Sequence, residues 1–304
     1  MTDENTAQVS DIDTFFNKNT RAENDITNRK RENVLTNLSN PEHPFLSDPT
    51  YGTKWTTVRT AFVNYINTHI NCPSYNRFEI EHKGGLNSHH DHNLMLYKDD
   101  KLLKTIKLEF KNNNMPQFMQ EYDSKKWTTI TLAEFWYDEG WLDLIIALYP
   151  QPLKYLKPSR EEYLKSVNQL LGAKSKPSFF KQFYDFDHDP KYKKQSKEKD
   201  KITKDGIAAF LAKYGKSFDV PKLSAKCKID QVSKVYLIWK PAKKIFECYE
   251  ITEEELNPTA ISSVTKNTVI LEAGKSKLKC LLRWKNTLGL CCPAWQISLH
   301  RTKK

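Results

Sequence analysis

Glycine is scarce, with 9 in a chain of 304 residues, which argues against a linker-rich molecule and for a folded one with long side chains. No apolar run approaches the ~18–20 residues of a membrane-spanning helix. The opening "MTDENTAQVSDIDTFF" is polar and acidic and is not expected to act as a secretory signal. The six cysteines stand at 72, 227, 248, 280, 291 and 292, with no CxxC pair and no zinc-ribbon spacing. Adjacent Cys291 and Cys292 sit in an apolar stretch, so they are expected to pack as small hydrophobes in a reducing compartment. These absences describe an intracellular protein with one large domain or two smaller ones.

Positive charge is plentiful and uneven. The chain carries +11, and residues 153–244 hold 23 Lys and Arg against 10 Asp and Glu. Such a basic middle segment on a near-neutral frame suits a polyanion, nucleic acid above all, although an acidic protein would also fit. Its lysine-rich run "KYKKQSKEKDK" is expected to be a solvated loop.

Hydrophobic periodicity supplies the elements. Residues 1–50 are polar, with two short helices expected, and read as a loosely attached N-terminal arm. "KWTTVRTAFVNYINTHI" (54–70) is an amphipathic helix. "NRFEIEHKGG" (76–85), "HDHNLMLY" (90–97) and "KLLKTIKLEFK" (101–111) alternate as strands, the last two joined by a turn at "KDD". A helical stretch follows over about 116–148, broken near Gly140, with Trp136 and Trp141 in its core. Helices are expected at 159–171 and 203–214, and strands after 225. The expected division is an arm (1–50), a core (51–152), a basic helical segment (153–224) and a β-rich C-terminal part (225–304). The fold class is mixed α/β (α+β).

The strand at 101–111 raises a chemical question. Ile106, Leu108 and Phe110 alternate with Lys107, Glu109 and Lys111, so a carboxylate and an ammonium share one face of a half-buried strand. Asp91 opens the preceding strand and shares a face with Asn93, Met95 and Tyr97. In a hairpin, Asp91 and Glu109 would converge. Two such carboxylates suit Mg²⁺, a hard cation that keeps waters and phosphate oxygens in its shell. Lys111 would then orient or help deprotonate an attacking water, or balance charge on a phosphorane-like transition state. The bland reading is a same-face ion pair contributing ~0–1 kcal/mol.

Asp91, seventeen intervening residues, and Glu109-Phe110-Lys111 resemble the D…(D/E)xK signature of restriction-endonuclease-like nucleases, the PD-(D/E)xK superfamily. The order helix, three strands, helix, strand (about 234–240) is similar to the αβββαβ core of that group, with the basic helical segment as an insertion. The resemblance implies a mixed sheet and metal-dependent endonuclease activity on double-stranded DNA, as in restriction or homing enzymes. It implies Mg²⁺, or Mn²⁺ in its place, held by Asp91, Glu109 and the Phe110 carbonyl, and it leaves a homodimer open. The chain lacks the proline that often precedes the aspartate, and Gln117 and Tyr122 are one residue too far apart for a QxxxY motif. The helix at 54–70 has no acidic residue to add a ligand; Glu81, on the first strand, is the preferred substitute.

Rival readings remain. His82, His89, His90 and His92 would suit zinc, and an Asp-His pair followed by asparagine is similar to part of an HNH nuclease motif. His90, Lys104 and Lys107 are candidates for phosphate contacts. Arg283, Lys285, Asn286 and Gln296 are candidates for base or phosphate contacts, unless they belong to a plain hairpin whose tryptophans, Trp284 and Trp295, are core. A non-catalytic nucleic-acid-binding protein and an RNA-processing nuclease are the alternatives in function.

Overall fold

The computed structural model describes residues 7–17, 24–83, 90–113, 119–168, 178–231, 233–249, 251–285 and 289–301. The fold is mixed α/β with two five-stranded sheets. The contacts divide the chain into two compact units, Met1–Met115 with Ile229–Thr252, and Pro116–Lys228 with Glu253–Lys304. The β-rich C-terminal part is therefore shared between units. Among the described residues no helix is long and apolar enough to cross a membrane, and all six cysteines are free.

The first unit is built on α1 (Asn24–Thr36), α2 (Gly52–His69), β1 (Arg77–His82), β2 (His92–Lys98), β3 (Lys101–Asn112), β5 (Lys234–Lys240) and β6 (Ile245–Tyr249). Sheet order is β1-β2-β3-β5-β6. The first three strands form an antiparallel meander, β5 returns parallel to β3, and β6 turns back antiparallel through residues 241–244. The alternation places Leu94, Leu96, Ile106, Leu108 and Phe110 on one face, packed with Val58, Phe62 and Ile66 of α2. The turn at Asp99 takes a positive φ of 50°. At the start of α2, an added Cβ on Gly52 would sit 2.5 Å from the Leu46 carbonyl oxygen, so only glycine lets the chain pass there.

The described residues of the expected arm, 7–17 and 24–50, are not loosely attached. Ile12, Phe15, Val34, Leu35 and Leu38 belong to this core, each worth roughly 1.5–3 kcal/mol of burial. The Trp55 and Trp239 indoles donate to the carbonyls of Val9 and Phe15 at 2.8 and 2.7 Å. The Arg31 guanidinium, whose pKa burial lowers to about 10, donates to the Thr14 carbonyl. A short apolar set under a polar surface is sufficient to dock α1.

The second unit holds β4 (Met119–Tyr122), α3 (Leu132–Asp138), α4 (Trp141–Ile146), α5 (Arg160–Val167), α6 (Ser178–His188), α7 (Lys193–Tyr214), most of α8 (Val220–Gln231), and β7 (Ala260–Val264), β8 (Thr268–Ala273), β9 (Ser276–Trp284) and β10 (Pro293–Arg301). Its sheet is antiparallel, in the order β4-β10-β9-β8-β7. Residues 119–122, expected to be helical, pair with β10 instead. Gly140, at φ 76°, separates α3 from α4 as expected. Most of the lysine-rich run is helix, not loop. It forms the first turns of α7, whose inner face is Lys199, Thr203, Gly206, Ile207, Phe210 and Leu211.

Candidate active site

β3 runs on past the first residue of β2, His92, and Asp91, just before it, fills the step. Its N–H donates to the Leu108 carbonyl at 3.0 Å. Its Oδ2 accepts the Phe110 N–H at 2.8 Å. In an extended strand one residue's N–H and C=O point to the same side, so the Phe110 carbonyl faces the Asp91 side as well. Glu109 and Lys111 occupy the sheet face opposite the core, with Lys111 Nζ 2.6 Å from Glu109 Oε1. The three residues of the motif are thus brought together, and Glu109 is 13% exposed in its side chain.

The electrostatics are tense. Burial, and then the neighbouring Glu109 charge, push the Asp91 carboxyl up from 3.8 to about 7, against the pull of Lys111 and the Phe110 N–H. Burial works to lower the Lys111 ammonium, but the charges of Glu109 and Asp91 outweigh it and the net direction is up. Sharing a site between two carboxylates is the arrangement that keeps one protonated until a cation arrives.

Two charged residues beside the motif were not legible as site residues. Glu32, on α1, acts on both Asp91 and Lys111 through its charge. Its carboxylate lies 3.2 Å from His82 Nε2, and its carbonyl accepts from His92 Nε2 at 3.0 Å. Lys234, on β5, reaches Glu109 Oε2 at 3.5 Å with its side chain only 5% exposed. The acid next to the site therefore comes from α1, the helix preceding α2. Glu81, the residue preferred for that role, is exposed, and it binds Lys83 at 2.5 Å and Asn93 at 3.2 Å. Its strand pairs with β2, not β3, which keeps it from Glu109.

His82 and His92 pack edge to face, ring centroids 5.3 Å apart, and both meet Glu32. His90 Nε2 lies 2.7 Å from Asn93 Oδ1. His92 is buried, and its pKa is lowered to about 4 by burial first. His89 lies outside the described residues. Among the described residues no group of three or more His, Cys, Asp or Glu side chains is arranged to hold a metal ion. Asp91, Glu109 and a backbone carbonyl offer oxygen donors only, a set that fits a weakly held, hydrated Mg²⁺ and not zinc.

The remaining candidates separate. Lys107 shares the Glu109 face, 3.4 Å from Ser233 Oγ. Lys104 lies on the other side of the alternation and donates to the Asn71 carbonyl at 3.3 Å. Arg283, Lys285 and Gln296 belong to the second unit. Arg283 pairs with Ala294, and Gln296 with Leu281, which puts Arg283 and Gln296 on one sheet face. Lys285 Nζ lies 3.3 Å from the Tyr122 hydroxyl. Trp284 and Trp295 are buried core residues, as is Trp136, while Trp141 is partly buried and stacks on Trp136. Asn286 and Gln117 lie outside the described residues. No protein-family model matches the chain, and no curated protein matches it.

Proposed function

We propose that the chain is a metal-dependent DNA endonuclease with a restriction-endonuclease-like αβββαβ core, formed by α2, the β1–β3 meander and the parallel strand β5. One observation carries the reading: Asp91 and Glu109 arrive from adjacent strands beside Lys111, and their mutual repulsion helps drive the Asp91 carboxyl to about 7. Structural ion pairs do not need two carboxylates competing for one position.

Asp91, Glu109 and the Phe110 carbonyl would hold Mg²⁺, or Mn²⁺ in its place. When bound, such an ion supplies Lewis acidity to a phosphate oxygen and acidity to a water. Lys111 has Glu109 as its resting partner; it turns toward the attacking water or the developing negative charge on the phosphorus oxygens. Asp91 binds as the carboxylate and so gives up its proton first. Lys107 and His90 flank this face and would grip the phosphates on either side of the scissile bond. The basic residues of the second unit would add sequence-independent affinity for the duplex. Whether two copies act together follows from the cut pattern, single-strand nicks or double-strand breaks.

One observation favours a second reading, a nucleic-acid-binding protein without catalysis: both Glu109 oxygens are already met by ammonium groups. Supercoiled plasmid with Mg²⁺, repeated with EDTA, separates the two, because cleavage that stops on chelation requires the metal. A panel of DNA and RNA substrates separates the DNA enzyme from an RNA-processing one. Elemental analysis of the purified protein is expected to find no stoichiometric zinc; one zinc per chain would move the site to the histidines.

A further inference from the structure

Lys234 is the charged residue for which a simple two-carboxylate metal site has no use. It lies on β5, whose register places it beside Lys107 with Glu109 opposite Tyr236. Lys234, Lys107 and Glu109 therefore share a sheet face. Its ammonium lies 3.5 Å from Glu109 Oε2, and the side chain is 5% exposed against 26% for Lys111. Lys111 can leave Glu109 for solvent or substrate; Lys234 has little room to go elsewhere. A fixed cation thus stands 3.5 Å from a carboxylate oxygen that would hold a divalent ion.

Counting charges shows what this does. Once Asp91 has given up its proton, the formal charges are three negative, on Asp91, Glu109 and Glu32, and two positive, on Lys111 and Lys234. The site then stands at −1. A divalent cation alone takes it to +1, and a phosphodiester returns it to neutrality. Without Lys234 the same site starts at −2, and the cation alone neutralises it. We propose that Lys234 is a positioning residue that makes metal loading depend on the nucleic-acid phosphate, by holding Glu109 and opposing a divalent ion that arrives without substrate. This inference rests on the metal-dependent reading of the site.

The coupling is reciprocal by linkage: if duplex tightens metal binding, metal tightens duplex binding by the same factor. The test titrates Ca²⁺ into the full-length protein by calorimetry, with and without a short DNA duplex, and compares the wild type with Lys234→Met, Lys234→Gln and Lys234→Arg. In the wild type Ca²⁺ binds weakly alone and at least about tenfold more tightly with duplex. In the Met and Gln variants Ca²⁺ alone binds about tenfold more tightly and duplex adds less than about threefold. The Arg variant keeps the wild-type coupling.

Unchanged coupling in Lys234→Met overturns the inference and leaves the nuclease reading standing. So does loss of cooperative melting in both neutral variants, since Lys234 would then be holding the fold. Ca²⁺ binding that persists in Asp91→Asn and Glu109→Gln, or is missing from the wild type with duplex, overturns the metal-site reading itself.

Discussion

Half-buried Asp91 in the first unit and fully buried Asp123 in the second are both carboxyls pushed upward, to about 7 and about 6. Their surroundings differ in kind. Asp123 accepts the Leu132 N–H at the start of α3 and the Trp295 indole N–H at 2.8 Å, so each oxygen has a fixed donor. The same holds for Glu255, which takes Ser276 at 2.8 Å and Arg301 at 2.7 and 2.9 Å. Asp91 has one backbone donor and a second carboxylate as neighbour. Burial is the first cause in both; a like charge comes second for Asp91, from Glu109, and last for Asp123, from Glu134, after both of its hydrogen-bond donors.

The largest expected effect tests that distinction directly. Asp91→Ala, Glu109→Ala and Lys111→Ala each lower plasmid cleavage by roughly a thousandfold or more, while duplex binding in Ca²⁺ survives. Asp123→Asn stays within a few-fold per folded molecule. Full activity in Glu109→Ala would sink the assignment. Next in size is Glu32→Gln, expected to raise the Mg²⁺ requirement by about 10–100-fold, with Glu81→Gln leaving it unchanged. The reverse result would return the supporting role to Glu81.

Stability sharpens the comparison with opposite signs. The folded pKa of Asp91 lies above its ordinary 3.8, so its burial is harmless below about pH 4 and becomes a cost as pH rises to about 7. Asp91→Asn is therefore expected to stabilise the fold at pH 8 by on the order of 1–3 kcal/mol, seen as a higher melting temperature, and to do little at pH 4. Asp123→Asn leaves one of its two fixed donors, the Leu132 N–H or the Trp295 indole N–H, facing an NH2 instead of an acceptor, and lowers the melting temperature at pH 8. Equal effects of the two substitutions would erase the distinction. The smallest effect is on binding. Lys107→Ala should weaken the duplex complex a few-fold and flatten the log–log salt dependence by about 0.9.

The strands carrying the motif were legible because each has one buried face, and period-2 alternation survives in the sequence. Helix 54–70 was legible for the same reason at period 3.6. The N-terminal residues were not, because a handful of apolar side chains docks them under a polar surface. The lysine run concealed a helix because a solvated helix face and a loop have the same composition; Lys199, Thr203, Gly206 and Ile207 face inward only once the turns are drawn. Glu32 and Lys234 escaped for a different reason. They meet the site across 60 and 125 residues of chain, and no local pattern carries such a pairing.

The parallel return of β5 has a consequence for biosynthesis. Lys234 leaves the ribosome 125 residues after Glu109, a delay of roughly 6–25 s at about 5–20 residues per second. Through that interval β3 is an edge strand with an open ladder, the kind of edge that pairs with other chains. Its outer face carries Lys107, Glu109 and Lys111, charges that discourage such pairing until its neighbour arrives. The nascent chain cannot assemble Glu109 with its second lysine until the whole intervening stretch has been made. The charge balance around Glu109 is thus completed only once Lys234 has emerged.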